Sequence, residues 1–163
     1  MRIIPLGALA LIATLGLSAC DSDTGPARIE QTGSGAILTA PNGHTLYTYI
    51  QDGTTDDGSA CTGHCSKLFP PFLVTPESIQ FAQHRGLLDR GFKIETLKEN
   101  GEKYPLPHNS SWGTVRRPDG SLQWTQGAFP LYYYSGDLLP GDRGGAELYG
   151  VWQIARPASY GLE

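Results

Sequence analysis

A mainly β fold, a compact antiparallel domain built from two related halves, is what the sequence predicts, on three observations. Turn-forming tripeptides, Pro41-Asn42-Gly43 and Pro118-Asp119-Gly120, each separate two β-prone runs. A seven-residue pattern, L-Y-x-Y-x-x-D, occurs twice, as LYTYIQD (46–52) and LYYYSGD (131–137), at a constant offset of 85 residues. One stretch alone, PESIQFAQHRGLLDR (76–90), carries helix signals, with Thr75 to cap it, Pro76 at the first position and Gly91 to close it.

The chain begins MRIIPLGALALIATLGLSAC, in which Arg2 precedes an almost uncharged apolar run over residues 3–17. That run is too short for a comfortable membrane span and ends in small residues, as a cleavable export signal does. Leu17-Ser18-Ala19-Cys20 resembles the lipobox of bacterial lipoproteins. The resemblance implies cleavage after residue 19 and acylation of Cys20, giving a domain anchored by lipid to the membrane. Asp21 resembles the signal that retains such proteins on the inner membrane, which would place this one on the periplasmic side of the cell envelope.

Processing at Cys20 removes 19 of 163 residues and leaves 144, one domain's worth of chain. The formal charge of −4 becomes about −5 without Arg2. With no basic block, this balance argues against a nucleic-acid partner, whose phosphates select surfaces rich in Lys and Arg. Residues 20–35 are polar, contain Gly and Ser and lack periodicity, so they read as a flexible tether with a reach of roughly 20 Å. The folded domain is expected over 36–163.

Within it, AILTAPNGHTLYTYI reads as a hairpin around Pro41-Asn42-Gly43. FKIETLKENGEKYPLP reads as a second hairpin around Asn100-Gly101 or as an irregular excursion. TVRRPDGSLQW is a further hairpin, while FPLYYYSGD and LYGVWQIARP supply two strands separated by LLPGDRGG. Residues two apart on a strand share a face, so Tyr47 and Tyr49 point one way, as do Tyr132 and Tyr134. Asp52 and Asp137 lie just past the strand ends, where a carboxylate accepts bonds from turn amides or a tyrosine hydroxyl. Such pairs build an aromatic ladder between two halves of a sheet. The functional alternative is two equivalent ligand subsites.

The repeated Y-x-Y-x-x-D, CTGHC (61–65) ahead of LFPPFLV, the block RPDGSLQWTQGAFPLYYYSGDLLPGD and the closing GVWQIARP together resemble a family of bacterial predicted lipoproteins. That family is described by a Yx(FWY)xxD motif or as a secreted repeat of unknown function. Cys61, Gly63 and Cys65 fit its C-x-G-x-C, and Phe69 stands where the pattern has Trp before Pro70 and Pro71. Residues 76–110 depart from the pattern as an insertion. The resemblance implies export and a compact repeat domain, and it brings no reaction.

CTGHC admits several chemistries. Covalent haem requires a histidine directly after the second cysteine, and Ser66 stands there. Cys61, His64 and Cys65 could together offer two thiolates and an imidazole to copper, or serve thiol redox chemistry. Against this, only three cysteines exist, Cys20 is assigned to lipid, and an oxidising compartment pairs the remaining two. A local Cys61–Cys65 disulfide is therefore the reading adopted, with copper or redox use of the trio as the alternative. No G-x-S-x-G elbow marks a hydrolase, and DGTTDDG (52–58) lacks the EF-hand calcium spacing. The expected function is a non-enzymatic binding or interaction module without a resident cofactor, its ligand an unidentified protein or small molecule of the envelope. Tyr47, Tyr49, Asp52, Tyr132, Tyr134, Asp137 and Trp152 form the candidate ligand surface, provided they face solvent.

Overall fold

The computed structural model describes residues 25–54, 58–86, 88, 112–127 and 129–157. The export signal, Cys20, Asp21 and the expected hairpin around Asn100-Gly101 lie outside the described residues. Among the described residues seven strands run in chain order: β1 (Arg28–Thr32), β2 (Gly35–Thr39), β3 (Tyr47–Tyr49), β4 (Trp112–Arg116), β5 (Leu122–Gln126), β6 (Phe129–Pro130) and β7 (Trp152–Ile154). Two short helices, α1 (His64–Leu68) and α2 (Pro76–His84), accompany them. All strand pairs are antiparallel: β1 with β2, β3 with β7, and β4 with β5 and then β6. The mainly β architecture therefore stands, with two short helices where one was expected.

The tether is shorter than expected. Residues 28–32 form β1, paired with β2 from Arg28↔Thr39 to Thr32↔Gly35, and Pro26 and Ala27 are already buried. Composition concealed this strand because Arg28, Glu30 and Thr32 give it a polar face. A backbone ladder and a tight Gly33-Ser34 turn, in which Thr32 Oγ1 donates to the Gly35 carbonyl at 2.6 Å, hold it nonetheless.

Pro41-Asn42-Gly43 does turn the chain, with the Gly43 N–H on the Ala40 carbonyl at 2.8 Å. Its arms meet at only one bridge, Thr39↔Thr45, before β3 leaves to pair with β7. Pro118-Asp119-Gly120 closes the full β4–β5 hairpin. The helix over 76–90 ends early, at His84, and Gly86 (φ +77°) follows it, a left-handed position that favours glycine. Its start is as read from sequence: Thr75 Oγ1 accepts from the Ser78 N–H and Ser78 Oγ accepts from the Thr75 N–H. Ile79 and Ala82 turn into the core, and Trp124 Nε1 donates to Ser78 Oγ at 2.9 Å.

The two halves exchange their last segments. In the first, Leu46 N–H bonds the Leu38 carbonyl, and the third partner is Ala155 of the second half, which accepts from Leu38 and donates to Leu46. In the second, Leu131 N–H bonds the Trp124 carbonyl, and the third partner is Phe72 of the first half, which accepts from Trp124 and donates to Leu131. Between them, Tyr47 and Tyr132 trade backbone N–H···O=C bonds of 2.8 and 2.9 Å, so the pattern is two-fold related about this pair. One apolar cluster gathers Leu38, Leu46, Phe72, Ile79, Trp124 and Leu131. A second gathers Tyr47, Cys61, Phe69, Tyr132 and Trp152.

Candidate functional site

The motif residues converge on that second cluster. Four rings stack in alternation between the halves: Tyr49 on Trp152 (centroids 4.5 Å apart), Trp152 on Phe69 (3.5 Å), and Phe69 on Tyr134 (5.0 Å). Tyr47 meets Phe69 edge-on and Tyr132 meets Trp152 the same way. The phenylalanine in place of tryptophan before the two prolines thus keeps the stacking role of its counterpart, Trp152.

The hydroxyls are crossed between repeats. Tyr47 donates to Asp137 Oδ2 at 2.5 Å, and Tyr132 donates to Asp52 Oδ2 at 2.7 Å. Each aspartate also takes one backbone amide, Ala60 N–H on Asp52 Oδ1 and Gly144 N–H on Asp137 Oδ1, both at 2.7 Å. The first tyrosine of each motif is therefore latched by the aspartate of the other. Burial, reinforced by the neighbouring carboxylates, pushes the Tyr47 and Tyr132 hydroxyls well above the ordinary phenol range. Burial also raises the Asp52 carboxyl, against the opposing pull of Tyr132, the Ala60 amide and Arg117.

The two latches differ in their outer partners. Arg117, only 5% exposed, donates to Ser59 Oγ (2.7 Å), Gln123 Oε1 (2.6 Å) and the Cys61 carbonyl (2.8 Å). Ser59 Oγ lies 2.7 Å from the Tyr132 hydroxyl. Because the tyrosine proton goes to Asp52, the serine proton goes to the tyrosine oxygen. The second latch uses backbone instead, with the Gly145 N–H 3.3 Å from the Tyr47 hydroxyl. A Cβ on Gly145 would sit 2.8 Å from Tyr134 Cβ and 2.9 Å from Tyr47 Cζ, so that approach requires glycine. Sequence reading missed Ser59, Arg117 and Gln123. The only available signal was a second arginine in a hairpin turn, where arginines are ordinarily solvated.

Cys61 and Cys65 are joined, their Cα atoms 5.2 Å apart, and the bond closes the turn into α1. That helix is too short to show a period in sequence, and Gly63 (φ +59°) introduces it. With both sulfurs in the bond, neither is a thiolate ligand in this state, and His64 is exposed. Among the described residues no group of three or more His, Cys, Asp and Glu is placed to hold a metal. In the second half Ala146 and Leu148 pack on the same cluster as Cys61 and Cys65.

Five of the seven residues of the expected ligand surface are buried, while Tyr49 and Tyr134 are half-buried. Tyr47 and Tyr132 are wholly buried, Trp152 is 3% exposed, and Asp52 and Asp137 are buried as well. Tyr47 and Tyr132 are consumed in joining the halves, because large rings whose hydroxyls have internal acceptors are more stable buried than wet. A concave surface lies on the opposite face of the β3–β7 pair, where a cleft of about 550 Å³ opens. The cross-strand pair Thr48 and Gln153 contributes to its lining, with Gln126 and the 42%-exposed Phe129 from β5 and β6. Glu147 and Arg156 complete its polar lining, and Glu147 is held in the left-handed region at φ +57°.

A family model described as a secreted repeat of unknown function matches the chain twice, over residues 29–72 and 113–156. No curated protein and no solved structure matches it. Among the described residues no helix is long and apolar enough to cross a membrane.

Proposed function

We propose that this chain, which belongs to the family of secreted repeats of unknown function, is a lipid-anchored envelope protein that binds a neutral, hydroxyl-rich ligand in the cleft behind β3 and β7. The anchor is Cys20, and Asp21 directs the chain to the periplasmic side of the inner membrane. The module is non-enzymatic: the buried tyrosines and aspartates are spent on one another, and their role is to hold the two halves in register.

The observation that carries the reading is the chemistry of the cleft. Thr48, Gln126 and Gln153 supply neutral donors and acceptors, and Phe129 presents an exposed ring beside them. Amides that bond hydroxyls, next to an apolar ring that covers C–H faces, suit the two kinds of surface on a sugar. Strain at Glu147, on the rim, is of the sort that collects at binding sites.

The test is saturation-transfer NMR of the full chain with chitotetraose as probe. Binding is expected, and Phe129→Ala and Gln153→Ala should each weaken it by roughly tenfold, the loss of one good contact. Absence of transfer, or transfer indifferent to both substitutions, overturns the reading.

A further inference from the structure

The loop Leu138-Leu139-Pro140 carries two neighbouring leucines that are 78% and 66% exposed. Such side chains in a loop normally fold back or sit on mobile chain, but this loop is tightly built. Asp142 Oδ2 accepts the N–H groups of both Leu138 (2.9 Å) and Leu139 (2.8 Å), and the Asp142 N–H returns to the Leu139 carbonyl at 3.1 Å. Pro140 has no N–H, and the Gly141 N–H bonds the Gly43 carbonyl at 3.2 Å. From 138 to 142, then, each backbone donor that exists is satisfied by protein. Those donors need no water, and this lowers the cost of placing the loop in a medium of low polarity.

The position of this tip selects that medium. Gly141 bonds Gly43, and Thr45 Oγ1 donates to the Asp142 carbonyl at 2.7 Å, so the tip is fastened to the turn after β2. Arg28 pairs with Thr39 at that same end of the hairpin, and Arg28, Pro41, Asn42 and Gly43 line one shallow depression. The leucines therefore lie at the end of the β1–β2 hairpin where Arg28 begins β1, three residues after Gly25, which packs on the Trp112 ring. Cys20 is five residues before Gly25, the first described residue, a span of at most about 18 Å even when fully extended. A lipid on Cys20 holds this end of the molecule against the bilayer.

We propose that Leu138 and Leu139 form a second membrane contact, an apolar wedge that enters the lipid interface beside the anchor and sets the domain's orientation. The orientation rests on the anchor proposed above, while the wedge chemistry is its own. Asp142, at the base of the loop, keeps the insertion shallow.

The native tryptophans, Trp112, Trp124 and Trp152, are all buried, so an indole introduced by Leu139→Trp reports the tip. The full chain carrying L139W, reconstituted in phosphatidylethanolamine/phosphatidylglycerol vesicles containing brominated lipid, should show a blue-shifted emission that the bromines quench. An unquenched indole on vesicle-bound protein overturns the wedge and assigns the tip to water or to a protein partner. The mass of the mature chain tests the anchor separately. In a Cys20→Ser chain the wedge must act alone, and L138S/L139S should lower vesicle partition by roughly a hundredfold, the loss of two partly buried leucines. If Cys20 proves to carry no lipid, the wedge stands only if the full chain still binds vesicles with the indole quenched. Equal partition with and without the leucines sinks it.

Discussion

Tyr47 and Tyr132 define the residue scale, since each hydroxyl satisfies a buried aspartate of the other repeat. Removing one hydroxyl leaves a carboxylate oxygen short of its donor in a place water does not reach. Tyr47→Phe and Tyr132→Phe should each cost about 1–3 kcal/mol in urea unfolding at neutral pH. The pH dependence has a definite sign. Both hydroxyls are raised above the unfolded value near 10, and burial pushes Tyr133 up to about 12. The protonated phenols therefore contribute stability that is fully present below about pH 10 and is lost as pH rises through their folded values. The unfolding midpoint of the native chain should fall above pH 10, and fall less steeply in either phenylalanine variant. Equal slopes in all three proteins would show that these hydroxyls do not titrate with unfolding.

At the scale of elements, the Cys61–Cys65 bond and its apolar counterpart make a comparison within one molecule. Ala146 and Leu148, in the turn before β7, pack on the same rings without a covalent link. The bond is therefore an increment and not a condition of folding, worth about 2 kcal/mol for so short a loop. Reduction should lower the thermal midpoint while leaving a cooperative transition and near-ultraviolet dichroism from the stacked rings. Global unfolding on reduction would refute this. The same elements show what was legible in the sequence. The β4–β5 hairpin and the capped start of α2 were readable because Pro118-Asp119-Gly120 and Thr75-Pro76 act through local backbone geometry. β1 was not, because its polar residues disguise a strand held by main-chain bonds. Nor was α1, whose five residues show no period. The motif tyrosines and aspartates were found as a set. Their crossing between repeats was hidden, because only the tertiary pairing of strands 85 residues apart decides which aspartate a tyrosine meets.

At the scale of the whole molecule, the exchange of final segments makes each half incomplete. The segment at Phe72 completes the junction of Trp124 and Leu131, and the segment at Ala155 completes that of Leu38 and Leu46. The ring stack alternates in the same way, so no half owns a finished core. An ordinary tandem repeat would leave two small domains able to separate. Here neither has enough closed apolar surface to offset its chain entropy. α2, at the start of the insertion, packs Ile79 and Ala82 into the same core as Trp124 and Leu131, and it stays with the first half in any later cut. Cutting the chain within residues 91–110 should therefore leave both fragments bound under native conditions, eluting together at the mass of the intact protein and still unfolding in one transition. Each fragment expressed alone should lack the near-ultraviolet signal of the ring stack and should regain it when the two are mixed. A first fragment that folds without its partner would mean that the exchanged strands are an accessory. If the fragments need each other, the cleft behind β3 and β7 exists only in the assembled pair, because Thr48 comes from one repeat and Gln153 from the other.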